Sequence, residues 1–212
     1  MPGVLSAIGN TPMLRVASLS AATGCDILIK CEFANPGGSV KDRVALRIIQ
    51  EALQSGDLAP GGLVTEGTAG STGVSLAMVA GALGCGCLCA LPDDAAAEKP
   101  AMMAAYGAAV ERVRPVSIAH RDHFVNVARR RADAAVQAGG RGAGFFANQF
   151  ENLANFRAHL EGTGPEIWGQ CGGRLDAFVC AAGTGAGRCR LTVSKPVLKL
   201  KVPMASAPEA II

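Results

Sequence analysis

From residue 26 to residue 181, short apolar runs alternate with longer stretches of helical character, and this order restricts the chain more than any other feature. The reading is a strand at 26–32 (DILIKCE), a helix opened by Ser39 and stopped by Gly56 after about Gln54, a strand at 62–66, a helix at 72–83 and a strand at 85–91. A helix at 98–106, a strand at 109–113, a helix at 120–138, a strand at 144–147 and a helix at 152–170 follow, then a last apolar strand at 175–181 (LDAFVCA). Such alternation predicts α/β architecture with a parallel sheet built through right-handed crossovers. Aromatic residues make up only 4% of the chain, so its core must be built from Ala, Val, Leu and Ile. A length of 212 residues allows one large domain or two small ones, and no repeat at a solenoid period is present.

Charge and cysteines exclude several classes. Residues 1–187 carry 15 Lys and Arg against 16 Asp and Glu, whereas 188–212 carry 5 basic residues against Glu209 alone, so the net charge of +3 belongs to the tail. With no aromatic interleaving and no nucleic-acid motif, no nucleic-acid partner is expected, and Arg129, Arg130 and Arg131 read as a solvated helix face. Val74–Leu91 is an uncharged run long enough to raise the question of a membrane span. Glycines interrupt it and Pro92-Asp93-Asp94 closes it, so it reads as a buried helix followed by a central parallel strand, with no membrane partner. Nothing resembling a signal peptide precedes the eight cysteines, which places them in a reducing compartment: the cytoplasm, or mitochondria if the natural start lies further upstream. Cys85, Cys87 and Cys89 alternate along a strand and turn to one face. They read as buried small hydrophobes rather than metal ligands, because His120 and His123, in a distant helical segment, supply no local ligand set.

"NPGGSVKDR", residues 35–43, places Lys41 just inside a helix start, where the backbone dipole favours acidic side chains. Ser39 is a suitable N-cap and Asp42, three positions on, can complete a capping box. Nearby peptide dipoles disfavour the ammonium form, as a nucleophilic amine requires. A solvated lysine at a helix start accounts for the spacing equally well.

Two glycine-rich turns add to this. "EGTAGSTG", 66–73, follows one apolar strand and opens a helix; Gly67, Gly70 and Gly73 can turn backbone N–H groups on an anion, and Thr68, Ser71 and Thr72 add hydroxyls. Without a P-loop lysine such a turn suits a carboxylate, although many α/β proteins use glycine turns only for close packing. "GTGAG", 183–187, lacks both the spacing of a dinucleotide fingerprint and a ribose-binding acid downstream, so a lone phosphate is its more natural guest. One lysine, one carboxylate turn and one phosphate turn together suggest pyridoxal 5'-phosphate.

With these stretches the sequence resembles the cysteine synthase and cystathionine β-synthase family of fold type II pyridoxal-phosphate enzymes. "IGNTPMLRV" resembles the family's opening, "NPGGSVKDR" its lysine segment, "EGTAGSTG" its substrate loop, and "AAGTGAG" its phosphate loop. "NQFENLANFRAHLEGTGPEIW", 148–168, resembles the segment returning to the large domain. The likeness implies two three-layer αβα domains with parallel-rich sheets: a small domain at 35–147, and a large one from 1–34 plus 148–187, incomplete because the resemblance ends at Arg188 and 188–212 forms a basic tail outside the family pattern. It implies that Lys41 bonds the cofactor and moves the substrate Cα proton, that Thr68, Ala69, Gly70, Thr72 and Gln149 surround the substrate carboxylate, and that Ser71, Gly183, Thr184, Gly185, Ala186 and Gly187 contact the cofactor. The reaction implied is β-replacement forming L-cysteine from O-acetylserine and sulfide, or another thiol, in a homodimer. The alternative is a catalytically silent, C-terminally truncated homologue that pairs with a full-length enzyme. Ala69 and Ser71 depart from the family's T-S-G-N-T-G, removing one hydroxyl and one amide. Ala186 and Gly187 replace a second glycine and a threonine of the family's phosphate loop. The family's serine opposite the pyridine nitrogen has no counterpart.

Overall fold

The computed structural model describes residues 3–181 and 183–184. A 3-10 turn, Val4–Ala7, leads to β1 (Met13–Arg15), α1 (Ala17–Thr23) and β2 (Leu28–Lys30). β1 and β2 pair antiparallel, Met13 opposite Lys30 and Arg15 opposite Leu28. After a second 3-10 turn, Glu32–Ala34, come α2 (Lys41–Ser55), β3 (Leu63–Gly67), α3 (Ser71–Ala82), β4 (Gly86–Pro92), α4 (Glu98–Ala105) and β5 (Ala109–Val113). α5 (Phe124–Gly139), β6 (Gly144–Phe146) and α6 (Leu153–Ala158) follow, then a π-helical turn, His159–Thr163, and α7 (Gly164–Gln170).

Strands β3 to β6 form one parallel sheet in the order β5-β4-β3-β6. The chain steps outward from β3 through β4 to β5 and then returns to the far side of β3. The reversal makes the C-terminal ends of β3 and β6 a topological switch point, the place where open α/β sheets hold their ligands. Helix α3 packs on β3 and β4, α5 packs on β3, β4 and β6, and α2 lies against α3 and α6, with Val44, Ile48, Ile49, Val64, Leu76 and Val79 in one buried cluster, a core of aliphatic residues as the composition requires.

Local chemistry sets the boundaries. Gly56 ends α2 in the left-handed region, φ +75°, which a residue without Cβ adopts freely. The uncharged run 74–91 divides into α3 and β4 as its glycines foretold, and Cys85, Cys87 and Cys89 are buried. Among the described residues no helix is long and apolar enough to cross a membrane.

Three expectations are corrected. The helix expected at 120–138 begins only at Phe124, because His123 Nδ1 accepts from Val125 N (3.3 Å) and caps it there; His120 and His123 precede the helix. The helix expected at 152–170 is present, running without a gap from Leu153 to Gln170, and it widens into the π turn just before Pro165, which has no N–H for the ladder. Residues 175–181 belong to neither sheet among the described residues, because an apolar run becomes a strand only where a neighbour completes its ladder. The capping box also fails: Ser39 Oγ accepts from Lys41 N (3.2 Å), but the Asp42 carboxylate turns away from the helix start to Gly37 N and Ser75 Oγ, both at 2.5 Å.

Candidate active site

Lys41 is the first residue of α2 and lines a cavity of about 1150 Å³ together with Lys30, His159, Thr163, Gly183 and Thr184. Its pKa lies below the ordinary lysine value, and burial of the ammonium is the cause. His159 stands near enough for the lysine's charge to act on it. Burial first, and that charge second, push its pKa down to about 4, so the imidazole is neutral beside the amine. His159 Nδ1 meets Thr163 Oγ1 at 3.1 Å across the π turn.

The loop before Lys41 is fixed from behind. A Cβ on Gly37 would lie 2.3 Å from Asp42 Oδ1, so only glycine lets that carboxylate reach the Gly37 amide. Arg43 is buried and forks onto two carboxylates, Glu32 (2.8 and 2.9 Å) and Glu166 (2.6 and 2.7 Å). Lys30 Nζ donates to Glu166 Oε2 and to Thr11 O, each at 2.7 Å, and Asn10 N donates to Glu166 Oε1 at 2.9 Å. Burial raises the Glu166 pKa, but the hydrogen bonds from Arg43 and Lys30 outweigh it and bring the carboxyl down to about 2. The quoted stretches at 8–16 and 35–43 are therefore joined by a buried ionic cluster whose geometry places the start of α2.

The carboxylate turn lies at the switch point. Thr68, Ala69 and Gly70 connect β3 to α3, and Ser71 and Thr72 begin that helix. Gly70 N donates to Thr68 Oγ1 (3.2 Å) and Gly73 N to Gly70 O (3.2 Å), so these two amides close the turn on itself. Across the crevice, in the loop after β6, Gln149 is buried and its Oε1 accepts from Thr72 Oγ1 at 2.6 Å. Thr68, Ala69, Gly70, Ser71, Thr72 and Gln149 do not line the cavity that holds Lys41. The link between the two places is Asn155 of α6, whose Nδ2 donates to Gln149 O (2.9 Å) and to Thr184 Oγ1 (3.0 Å). The expected phosphate contacts at Gly185, Ala186 and Gly187, and the tail 188–212, lie outside the described residues.

Sequence reading missed three residues here. Glu66, next to last in β3, is fully buried; its Oε2 accepts from Gln149 N at 3.2 Å, and burial raises its pKa to about 7. Its signal was an acid between an apolar strand and a glycine turn. Asn155 and His159 stand four apart in the quoted segment, the spacing of one helix face, of which only Gln149 was read.

The residues present fit a pyridoxal phosphate. The desolvated Lys41 amine suits addition to an aldehyde. Because Thr184 Oγ1 already accepts from Asn155, its own hydrogen remains to donate to a phosphate oxygen on the same cavity wall.

Comparison with known proteins agrees. Residues 4–189 match the family described as "Pyridoxal-phosphate dependent enzyme". Cysteine synthase 2 of Schizosaccharomyces pombe is 53% identical over 199 residues, covering 91% of this chain and 50% of that protein. Cysteine synthase 2 of Neurospora crassa is 55% identical over 188 residues, 86% of this chain and 41% of that one. The crystal structure of an O-ureido-L-serine synthase superposes with a TM-score of 0.79 at 33% identity, covering 94% of this chain and 61% of that one. The chain spans about half the length of the curated relatives it matches.

Proposed function

Because the chain belongs to the family of pyridoxal-phosphate-dependent enzymes, with the type II fold of that class, we propose that it carries the chemistry of a cysteine-synthase-like β-replacement: O-acetylserine and sulfide in, L-cysteine and acetate out. The observation that carries this reading is Lys41, a desolvated amine at a helix start on the same cavity wall as Gly183 and Thr184. When bound, the cofactor would supply a conjugated ring able to hold the electron pair freed at the substrate Cα by proton removal, until that pair forms the Cα–Cβ double bond and the β-substituent leaves.

The chain's own residues do the rest. Lys41 Nζ bonds the cofactor, and once released it removes and returns the proton at Cα, which a neutral amine can do and an ammonium cannot. His159, neutral beside it, leaves that amine without a competing positive charge. Thr68, Ala69, Gly70 and Thr72 surround the substrate carboxylate with Gln149 opposite, and the crevice between β3 and β6 orients it. Gly183 and Thr184, continued by Gly185, Ala186 and Gly187, would take the phosphate, and Ser71 would contact the cofactor where the two places meet. In this reading 35–147 is the small domain, 1–34 with 148–187 is part of the large one, and the natural assembly is a homodimer.

The test is spectroscopic. Residues 1–212 mixed with pyridoxal phosphate should develop the visible absorption of lysine-bound cofactor, and Lys41→Ala should lose it while its far-ultraviolet circular dichroism is retained. A folded wild-type chain that shows no such band refutes the reading.

A further inference from the structure

Gln149 is held at three atoms: its N–H by Glu66 Oε2 (3.2 Å), its carbonyl by Asn155 Nδ2 (2.9 Å) and its side-chain oxygen by Thr72 Oγ1 (2.6 Å). Asn155 makes a different kind of connection. It is 2% exposed, and its amide has two hydrogens in one rigid plane; one goes to Gln149 O and the other to Thr184 Oγ1. Its Oδ1 is buried without a hydrogen-bond partner among the described residues. A third anchor there would fix the amide whatever its partners did; lacking one, the plane follows its two acceptors. A displacement of the Gln149 carbonyl turns the amide and carries the second hydrogen away from Thr184.

We propose that Asn155 is a positioning residue that couples the carboxylate crevice to the phosphate-facing wall, so that filling one anion subsite orders the other. The roles of the two subsites rest on the function proposed above; the mechanical coupling rests on the hydrogen bonds alone. Ordering of Thr72 and Gln149 by a carboxylate sets the Asn155 plane, which aims Thr184 Oγ1 and leaves its hydrogen toward the cavity. Coupling of this kind is reciprocal, so an anion at Thr184 also tightens the Thr72–Gln149 bridge.

Amide hydrogen exchange on the full chain, without ligand, tests the coupling. Thr72→Val should speed exchange across 175–184 about fivefold, and Thr184→Val should speed it across 148–156 by a similar factor, the size of one lost hydrogen bond. In an Asn155→Asp background, which keeps the shape and removes both donors, the two remote effects should vanish. A merely structural Asn155 would leave them intact in that background, and purely local effects of the threonine variants would overturn the proposal even if Asn155→Asp fails to fold. A second arm titrates pyridoxal phosphate with acetate as the carboxylate probe and chloride as the ionic-strength control. Acetate should tighten binding about fivefold in the wild type and not in Asn155→Asp; equal tightening in both overturns the coupling. No pyridoxal phosphate binding by folded wild-type chain refutes the function reading instead, and the exchange arm still decides the coupling.

Discussion

The two glycine-rich turns look like one design written twice in the sequence, each behind an apolar run, yet those runs fold differently. The first follows β3, which is hydrogen-bonded on one side to β4 and on the other to β6, and Val64 within it is fully buried. The second follows 175–181, which joins no sheet among the described residues, and Val179 within it is 77% exposed. What separates them is not the turn but what flanks the run before it: a ladder partner converts apolar residues into a strand, and without one the same pattern stays irregular.

Substitutions at the turns can break or sharpen that contrast. The largest effect should come from Gly67→Ala, because a Cβ there would lie 2.5 Å from Val125 Cα and 2.8 Å from Val125 N, backbone atoms of α5 that cannot step aside. A loss of about 4 kcal/mol in urea unfolding is expected, and a loss below about 1 kcal/mol would mean that the first turn is no more tightly built than the second.

Next is the pH dependence contributed by Glu66. Its folded pKa, about 7, lies above the ordinary 4.5, so the folded chain holds the proton more tightly than the unfolded one. Its contribution is therefore complete at low pH and is lost as pH rises through about 7, a change on the order of 3 kcal/mol. His159, held at about 4 against the ordinary 6.5, changes stability in the opposite direction over the lower part of this range, so the two variants are compared: between about pH 5 and about pH 8 urea midpoints should rise with pH in Glu66→Gln and fall most steeply in His159→Gln, with the wild type between them.

A smaller cost, about 1 kcal/mol, is expected for Gly73→Ala, whose Cβ would meet the flexible end of Met103 at 2.5 Å and Thr68 Cγ2 at 3.0 Å. Smallest is Gly183→Ala: nothing among the described residues lies within 4 Å of its Cβ position, so unfolding should shift by less than about 0.5 kcal/mol. A cost at Gly183 matching that at Gly67 would erase the difference between the turns.

Much of the fold was legible in the sequence. β3 and β5 were placed within one residue at each end, and α2 was stopped at Gly56, because period-two and helical patterns and a left-handed cap are local properties. Errors arose where a distant group competed. Asp42 has the spacing of a capping box, but Gly37 N and Ser75 Oγ offer a buried carboxylate two bonds that the helix start does not. Within the candidate site, Lys41, the Thr68–Thr72 turn and Gln149 were each legible as segments, whereas Glu66 and Asn155 were not, since burial and the partners of an amide are unmarked in a linear pattern.

The sequence by itself determined which elements form, in what order, and that a lysine stands at a helix start with a glycine turn behind each of two apolar runs. Tertiary structure alone decided that β6 returns to the far side of β3, which sets Gln149 against Thr72 across the switch point and hangs Thr184 on Asn155. It also buried the Lys41 ammonium, which disfavours the charged form. Propensity and periodicity act over a few residues, whereas strand neighbours, desolvation and hydrogen-bond partners depend on which distant segments the folded chain brings together.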